Sequence, residues 1–347
     1  MVEIELSGSP RQIGLSRGKQ LRYAIQMALE HHGFGHAHQW TLEAAHAYGR
    51  RMAEDLNHRC PALLEEVIAT AKGAQLPEAD MLAYNFRVWN ALSGHRATLA
   101  CYGMSGIDPK RGMIIAGTLD DSPQFYLLEI LRPRSGQACY VVNWAGMAWA
   151  GKAMNKAGLA IGQASSFAGT RFRPGKHKFP FDCYSRSFFA QRWAIQNATT
   201  VAEAIEILRS FECAGVFILS DRSGKVAALE CCGDLSAVRE PDADGIVTAG
   251  TFESPELIKS LIDDGVAHDW EEGVRLAMRT SAALRKVKGK FSMEWMAKFL
   301  QTERTDGGWC HTDCQAAFIA SSKTGEFWVS GCRPCTSGFK IFNVKAL

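Results

Sequence analysis

The chain has 347 residues, of which 47% are hydrophobic and 22% charged, with a formal net charge of +3. This hydrophobic content excludes a disordered chain, and a chain of this length buries roughly 75% of its extended surface, so its core requires neither disulfides nor a metal. The 39 basic residues are nearly balanced by 36 acidic ones. They form no run of five or six like charges, which argues against a dedicated nucleic-acid binder.

The first hundred residues are predicted to be mainly helical. A short alternating strand at the N terminus leads into a turn at residues 7–10, where Pro10 stands close to a helix start. Apolar residues then recur at helical spacing, which predicts helices over residues 12–31, 41–56 and 61–74. We therefore expect residues 1–100 to form a helical segment that differs from the rest of the chain.

Beyond residue 100, apolar residues tend to recur at every second position, which is typical of strands. The predicted strands cover residues 98–105, 112–118, 125–132, 138–144, 158–165, 215–220, 225–231, 245–250, 315–321 and 325–330. The predicted helices cover residues 183–195, 200–210, 255–264, 270–285 and 292–302. Because hairpins occur in clusters with helices grouped between them, this pattern favours a layered α+β fold over a strict βαβ alternation.

The cysteine content, the N terminus and the length of the apolar segments indicate the cellular compartment of the protein. No apolar segment approaches the ~20 residues that span a bilayer, and the N terminus shows neither the basic nor the apolar region of a secretion signal. The eleven cysteines are an odd number, which favours reduced thiols. We therefore expect a cytoplasmic protein without membrane or nucleic-acid partners, in which one cysteine is available as a nucleophile.

Cys101 is the candidate nucleophile, because it lies where the helical segment gives way to the strand-rich one. A thiol becomes an effective nucleophile only near a base or a positive charge. The strand after Cys101, a turn at residues 108–112 and a second strand ending at Asp120 predict a hairpin that brings Asp120 beside Cys101. A carboxylate there can hold an ammonium group by a charge-assisted hydrogen bond. Taken alone, such a cysteine is more often a small buried hydrophobe.

The spacing of Cys101 and the segment Gly117-Thr118-Leu119-Asp120 resembles the cysteine N-terminal-nucleophile (Ntn) hydrolases. Within them the chain is most similar to the isopenicillin-N acyltransferase (acyl-coenzyme A:penicillin acyltransferase) family. Further stretches that resemble this family are residues 6–14 with Arg17-Gly18, residues 151–159, Arg186 with residues 200–205, and residues 325–334. The similarity covers nearly the whole chain, and the order of the motifs is its most specific feature.

The resemblance implies a four-layer αββα sandwich with a helical N-terminal arm, and a proenzyme that cleaves itself. The thiol of Cys101 attacks the carbonyl of Ala100, and water opens the thioester, which gives an α fragment 1–100 and a β fragment 101–347. The freed α-amino group of Cys101, whose ordinary pKa is ~7.7–8, then serves as the base, and Asp120 positions it. The two fragments are expected to stay associated, and a homo-oligomer is left open.

The resemblance also suggests residues around the reacting carbonyl. Gly250 stands where the family has an oxyanion-donating asparagine, and Asn155 belongs to a family-like strand connection. Trp144 lies in an aromatic stretch that forms either core or an acyl pocket. Thr312 lies where the family has a hydroxyl group near the nucleophile. No cofactor and no catalytic metal are expected.

The main prediction is therefore a self-processing enzyme that hydrolyses linear amide bonds, or transfers their acyl groups, through an acyl-cysteine intermediate. Its expected partner is a small amide substrate, to which the acyltransferase interpretation adds an acyl-coenzyme A. Ala100, Tyr102 and Gly250 depart from the family pattern, so one alternative is a binding protein that kept the fold without catalysis.

A zinc-stabilised interaction module is the other alternative. It rests on two close cysteine pairs, which are typical of a structural zinc site if a hairpin brings them together. The four cysteines concerned are Cys310, Cys314, Cys332 and Cys335.

Overall fold

The computed structural model describes residues 1–32, 34, 41–88, 103–120, 126–164, 181–242, 245–248, 252–262, 278–283, 285–287 and 291–347. The helices are α1 (Pro10–His31), α2 (Leu42–Arg59), α3 (Pro61–Ala74), α4 (Glu78–Asn85), α5 (Phe181–Asn197), α6 (Val201–Ser210), α7 (Pro255–Ile262), α8 (Met293–Gln301) and α9 (Pro334–Ser337). Within these ranges no helix combines the length and apolarity that a membrane crossing requires.

Fourteen strands form two sheets among these residues. The first eight in chain order are β1 (Val2–Gly8), β2 (Gly103–Asp108), β3 (Gly112–Asp120), β4 (Tyr126–Pro133), β5 (Cys139–Trp144), β6 (Lys152–Asn155), β7 (Ala160–Ala164) and β8 (Ala214–Ser220). The others are β9 (Val226–Cys232), β10 (Leu235–Arg239), β11 (Val247–Thr248), β12 (Cys314–Ser321), β13 (Glu326–Ser330) and β14 (Lys340–Asn343). One sheet has the order β1-β4-β5-β6-β7-β8-β9-β10, and the other β11-β2-β3-β12-β13-β14.

The two sheets pack face to face, and glycine residues allow their strands to approach each other closely. A side chain at Gly162 of β7 would lie 2.7 Å from the ring of Phe318 in β12, and one at Gly103 would lie 3.1 Å from Ile218 in β8. Helices α5 and α6 cover the outer face of the eight-stranded sheet, whereas α8 covers that of the six-stranded sheet. The predicted α+β class and its αββα layer order, with a helical N-terminal segment, are therefore confirmed.

Strand β3 is buried on both faces, as the alternation of its side chains shows. Ile115 and Leu119 belong to the main core between the sheets. Ile114 and Ala116 point the other way and pack with apolar residues of α8. Because both faces are covered, the polar end of this strand also lies inside the protein.

Local sequence signals account for most element boundaries. Ser9 and Gln12 form a reciprocal capping box at the start of α1, and Thr200 and Glu203 form another at α6. The helices predicted over residues 12–31, 41–56, 61–74, 183–195, 200–210 and 292–302 are confirmed. Helices α4 and α9 and strands β6, β10 and β14 were not predicted. Strands β10 and β14 lie at sheet edges, and their side chains are mostly exposed or half-buried.

The domain boundary predicted at residue 100 lies outside the described residues. The N-terminal segment nevertheless contributes a strand to the large sheet, because β1 pairs in parallel with β4 from Val2 to Gly8. The predicted strand 98–105 is described only from Gly103 onwards, and that over 245–250 only as β11. Of the predicted helix 270–285, the described residues 278–283 are helical.

A buried cluster of four charges ties the N-terminal helices to the sandwich. Arg17 of α1 donates to both oxygens of Glu129 in β4, at 2.6 and 2.9 Å. Its guanidinium also lies 2.7 Å from Glu66 of α3, and Arg192 of α5 lies 3.3 Å from the other Glu66 oxygen. All four side chains are at most 2% exposed, so each charge depends on its partners.

We predict that Arg17→Met lowers the free energy of unfolding by about 3–5 kcal/mol, because it leaves the Glu129 carboxylate buried without its principal cation. Urea denaturation measures this loss. The matched control is Arg132→Met, since Arg132 of β4 pairs with Glu5 of β1 with both side chains exposed, and this change should cost at most ~1 kcal/mol. Equal losses in the two variants would contradict a structural role for the buried cluster.

Candidate active site

Asp120 is the last residue of β3 and its side chain is fully buried. In the six-stranded sheet it lies opposite Cys314, the first residue of β12. The register of this pair shifts between Cys314 and Ala316, so a bulge interrupts the ladder beside the carboxylate. A charged group thus lies inside the protein at a point where the strand pairing is irregular, as is common near functional sites.

His311 contacts this carboxylate directly. Its Nε2 atom lies 3.1 Å from Oδ2 of Asp120. The histidine is held from both sides, because its carbonyl accepts from the Cys314 N–H at 3.2 Å and the preceding Cys310 N–H donates to the Thr302 carbonyl at 3.0 Å. The backbone therefore fixes the imidazole against Asp120.

The charges around Asp120 act on one another. Burial raises the pKa of Asp120, while His311, Thr118 and Lys152 oppose this by stabilising the carboxylate. Burial lowers the pKa of His311, but the Asp120 carboxylate outweighs it, so the pKa of His311 is raised above its ordinary value. Lys152 is itself buried and its ammonium donates to the Gln163 carbonyl. The imidazole, when protonated, and the lysine thus compensate the buried carboxylate.

Asp120 and Lys152 share a cavity with a group of aromatic residues. The rings of Trp149 and Phe188 are stacked with centroids 4.2 Å apart, and the Trp144 ring lies 5.2 Å from that of Trp149. The Nε1 atoms of both indoles are buried and meet no acceptor within the described ranges. Such a wall, mostly apolar with a few polar groups, is typical of a small-molecule site.

Arg87 adds a positive charge to this cavity. Its guanidinium lies 4.4 Å from the centre of the Trp144 ring and donates to the hydroxyl group of Tyr184 at 3.3 Å. The side chain is 2% exposed, and its backbone adopts φ = 52°, a left-handed conformation that costs a non-glycine residue about 1–3 kcal/mol. This strained, buried arginine is thus held within the aromatic wall.

The residues predicted from the sequence divide into three groups. Asp120 and Trp144 line the same cavity. The cleavage position Ala100–Cys101 and the oxyanion candidate Gly250 lie outside the described residues. Asn155 and Thr312 occupy other environments.

The sequence predicts Asn155 near the substrate, but its amide is committed to a turn. Its two N–H groups donate to the carbonyls of Ile195 and Ala198 at 2.9 and 2.8 Å, and its oxygen accepts from the Leu159 N–H at 3.0 Å. The expectation of an oxyanion donor is corrected accordingly, because this side chain joins the β6–β7 turn to the end of α5. Thr312 is exposed and its hydroxyl group lies 3.4 Å from Asp313.

Three residues of the cavity region are functional candidates that the sequence analysis missed. His311 lies between Cys310 and Cys314, which drew attention only as cysteines, and Lys152 lies in the family-like stretch 151–159. No sequence pattern indicated Arg87. The β3–β12 register that brings His311 to Asp120 joins positions 191 residues apart, for which a single sequence gives no signal.

The four C-terminal cysteines do not converge on one point. The sulfurs of Cys310 and Cys335 are 2.6 Å apart, whereas Cys314 is buried with its sulfur 3.6 Å from the Ala316 carbonyl, and Cys332 is exposed. This arrangement therefore does not favour the four-thiolate site on which the zinc-stabilised alternative rests. Within the described ranges, Glu303 with Cys310 and Cys335 is the one group of three metal-ligand side chains that lie close together.

No protein-family model and no curated protein matches the chain. Among solved structures it is similar to a mutant of the conjugated bile acid hydrolase from Clostridium perfringens, with 10% identity, a TM-score of 0.48 and coverage of 71% of this chain and 93% of that one. It is also similar to a penicillin V acylase from Agrobacterium tumefaciens, with 14% identity, a TM-score of 0.44 and coverage of 71% and 87%. A third similar structure is the Caenorhabditis elegans ortholog of N-acylethanolamine-hydrolyzing acid amidase, with 11% identity, a TM-score of 0.39 and coverage of 64% and 93%.

We predict that the stabilising effect of His311 decreases as the pH rises. Because the folded protein raises the pKa of His311, the stability gained from this pair is complete below the unfolded pKa of ~6.5 and is lost as the pH rises through the folded pKa. The difference in unfolding free energy between wild type and His311→Asn should therefore be larger at about pH 5.5 than at about pH 9. Urea titrations at both pH values measure it.

The control for this pH dependence is Gln315→Asn, at a half-buried position of β12 whose side chain has no titratable group. It should change stability equally at the two pH values. A wild-type advantage over His311→Asn that grows with pH would contradict the pairing of a protonated His311 with Asp120.

Proposed function

We propose that this chain is a self-processing cysteine amidohydrolase in which Cys101, freed by cleavage of the Ala100–Cys101 bond, is the nucleophile. The observation that carries this proposal is the buried carboxylate of Asp120 at the rim of an aromatic cavity, with His311 and Lys152 as its partners. Such a carboxylate can hold an α-ammonium group in a fixed orientation.

The strand register supports Cys101 as the partner of Asp120. Gly103, the first residue of β2, pairs with Gly117, three positions before the end of β3. Cys101 is two residues upstream of Gly103, and consecutive Cα atoms are 3.8 Å apart, so at most about 7.6 Å separates their Cα atoms. The covalent chain thus permits Cys101 to lie near the end of β3.

The first reaction would be cleavage of the precursor. The thiol of Cys101 adds to the Ala100 carbonyl and the peptide nitrogen leaves as the amine of Cys101, which forms a thioester. Water then opens this thioester, giving a carboxylate on Ala100 and returning the thiol. The new α-amino group has an ordinary pKa of ~7.7–8, so it can exchange protons near neutral pH.

Amide hydrolysis would follow on the same residue. The α-amino group accepts the thiol proton, and the thiolate adds to the substrate carbonyl. The ammonium then gives its proton to the leaving amine, which leaves an acyl-cysteine that water hydrolyses. Asp120 would accept a hydrogen bond from the ammonium and so orient it throughout. An amine in place of water would make the enzyme an acyltransferase; we propose hydrolysis because water is always available to an open intermediate.

The cavity suggests the kind of acyl group. The free space in this cavity is only about 20 Å³, so the acyl group would lie against its aromatic wall. The rings of Trp149 and Phe188 favour a flat apolar group there, and the indole N–H groups of Trp144 and Trp149 favour an oxygen acceptor on it. We therefore propose small amides whose acyl part combines an aromatic ring with a carbonyl, ether or hydroxyl oxygen. Gly250 remains the proposed position of the oxyanion contact, supplied in that case by its backbone N–H.

We predict that the purified wild-type protein consists of fragments 1–100 and 101–347, and that Cys101→Ala remains a single chain. Intact mass and N-terminal sequencing measure this. Asp120→Asn should slow amide turnover at least about 100-fold, because the freed amine of Cys101 loses its charged partner. The controls are Cys332→Ala and Asp313→Asn, which alter exposed residues nearby and should be processed like the wild type.

A wild-type protein that hydrolyses amides as an uncleaved chain would contradict this mechanism. A wild-type protein that is both uncleaved and inactive would favour the non-catalytic binding protein.

We predict that Trp144→Phe selectively lowers kcat/KM by about 5–20-fold for amides that carry an oxygen on the acyl ring. The phenylalanine side chain keeps an aromatic ring in the cavity wall but lacks the N–H donor of the indole. Paired aryl-acyl amides with and without that oxygen, assayed on both proteins, measure the selectivity. Trp295→Phe is the control, since Trp295 stacks on Phe299 in the outer helix α8. Equal losses for both substrates would contradict the donor role.

A further inference from the structure

Two cysteines from separate elements meet next to the candidate active site. The sulfur of Cys310, in the segment before β12, lies 2.6 Å from that of Cys335 in α9. Cys310 is fully buried, whereas Cys335 is partly accessible. Neither residue has a role in the proposed amide chemistry, so their meeting requires a separate explanation.

The backbone around both cysteines is fixed. Cys310 forms a β-bridge with Glu303, and its carbonyl accepts from the Arg304 N–H at 2.7 Å. On the other side, Arg333 immediately before α9 donates to the Glu303 carboxylate at 2.7 Å. The Glu303 side chain thus joins the two segments and keeps the sulfurs in contact.

We propose that Cys310 and Cys335 form a reversible disulfide, a redox modification site distinct from Cys101. The oxidant would be a low-molecular-weight disulfide such as oxidised glutathione. The thiolate of Cys335 attacks that disulfide, forming a mixed disulfide and releasing one thiol. The thiolate of Cys310 then attacks the Cys335 sulfur and releases a second thiol. Both cysteines are oxidised by two electrons in total, and the glutathione disulfide is reduced to two thiols that carry the two protons.

A disulfide fits this geometry better than zinc. A tetrahedral zinc ion with Zn–S bonds of about 2.3 Å separates its thiolates by about 3.7 Å, so binding would require the two sulfurs to move apart. The third ligand candidate, Glu303, is already paired with the guanidinium of Arg333, which also repels a cation. A disulfide requires only that the sulfurs approach further.

The environment of Cys335 predicts a slow reaction. Burial and hydrogen bonds with Cys310 and Glu303 raise the pKa of Cys335 to about 12, against a lowering by Arg333. Few thiolates are then present at neutral pH, so exchange with an external disulfide should accelerate as the pH rises. Once formed, the bond joins the segment that carries His311 to α9 and restrains the imidazole at Asp120.

The test uses the full chain with Cys101→Ala and Cys332→Ser, which removes the proposed nucleophile and the exposed thiol. Nine of the eleven cysteines then remain. After incubation with oxidised glutathione, we expect two fewer titratable thiols, a mass loss of about 2 Da without a glutathione adduct, and a proteolytic peptide that links Cys310 to Cys335. The melting temperature should rise by a few degrees and return after reduction.

Adding Cys335→Ser, or separately Cys310→Ser, should abolish both the mass loss and the rise in melting temperature. Nine titratable thiols after prolonged oxidation at alkaline pH would overturn the proposal. So would a linked peptide that involves another cysteine, or one equivalent of zinc in the purified protein that protects both thiols until a chelator removes it. If the serine variants fail to fold, peptide mapping of the oxidised wild type still shows whether Cys310 is linked to Cys335.

Discussion

The burial of the Asp120 carboxylate is the constraint around which the candidate site is organised. A carboxylate removed from water is costly unless hydrogen bonds or opposite charges compensate it. Here the compensation comes from His311 on the segment before β12 and from Lys152 on β6. His311 lies just before a strand of one sheet and Lys152 lies in the other sheet, so the site exists only when the sandwich is assembled.

Strand β3 makes this convergence possible, because it is central in its sheet and pairs with both β2 and β12. Pairing with β2 brings the chain that follows Cys101 alongside the strand, and pairing with β12 brings His311 to its end. The opposite sheet adds Lys152 and Trp144, and α5 adds Phe188. Each neighbour thus supplies one part of the cavity, and a register slip of one residue would turn Asp120 to the other face.

The sequence predicted what depends on local signals. Capping boxes fix the starts of α1 and α6, and alternation with a turn at residues 108–112 indicated the hairpin of β2 and β3 that ends at Asp120. It did not predict contacts set by distant pairing, such as His311 with Asp120, or the left-handed conformation of Arg87. Asn155 shows the opposite error: a family-like position suggested chemistry, whereas three hydrogen bonds make it structural. Residue type alone does not distinguish a polar group that faces a cavity from one that holds a turn.

The two buried charge clusters differ in a way that bears on function. Arg17, Arg192, Glu66 and Glu129 balance two positive against two negative charges, as expected of a structural cluster. Among the described residues that line the cavity, Asp120 is the one anion, whereas Arg87 and Lys152 are cations. His311 adds a third positive charge when protonated, because it lies 3.1 Å from Asp120. In a poorly solvated cavity this excess lowers the free energy of an anion, and both a thiolate and the oxyanion of a tetrahedral intermediate are anions. In the proposed mechanism, these cations would therefore stabilise negative charge as it develops during the reaction.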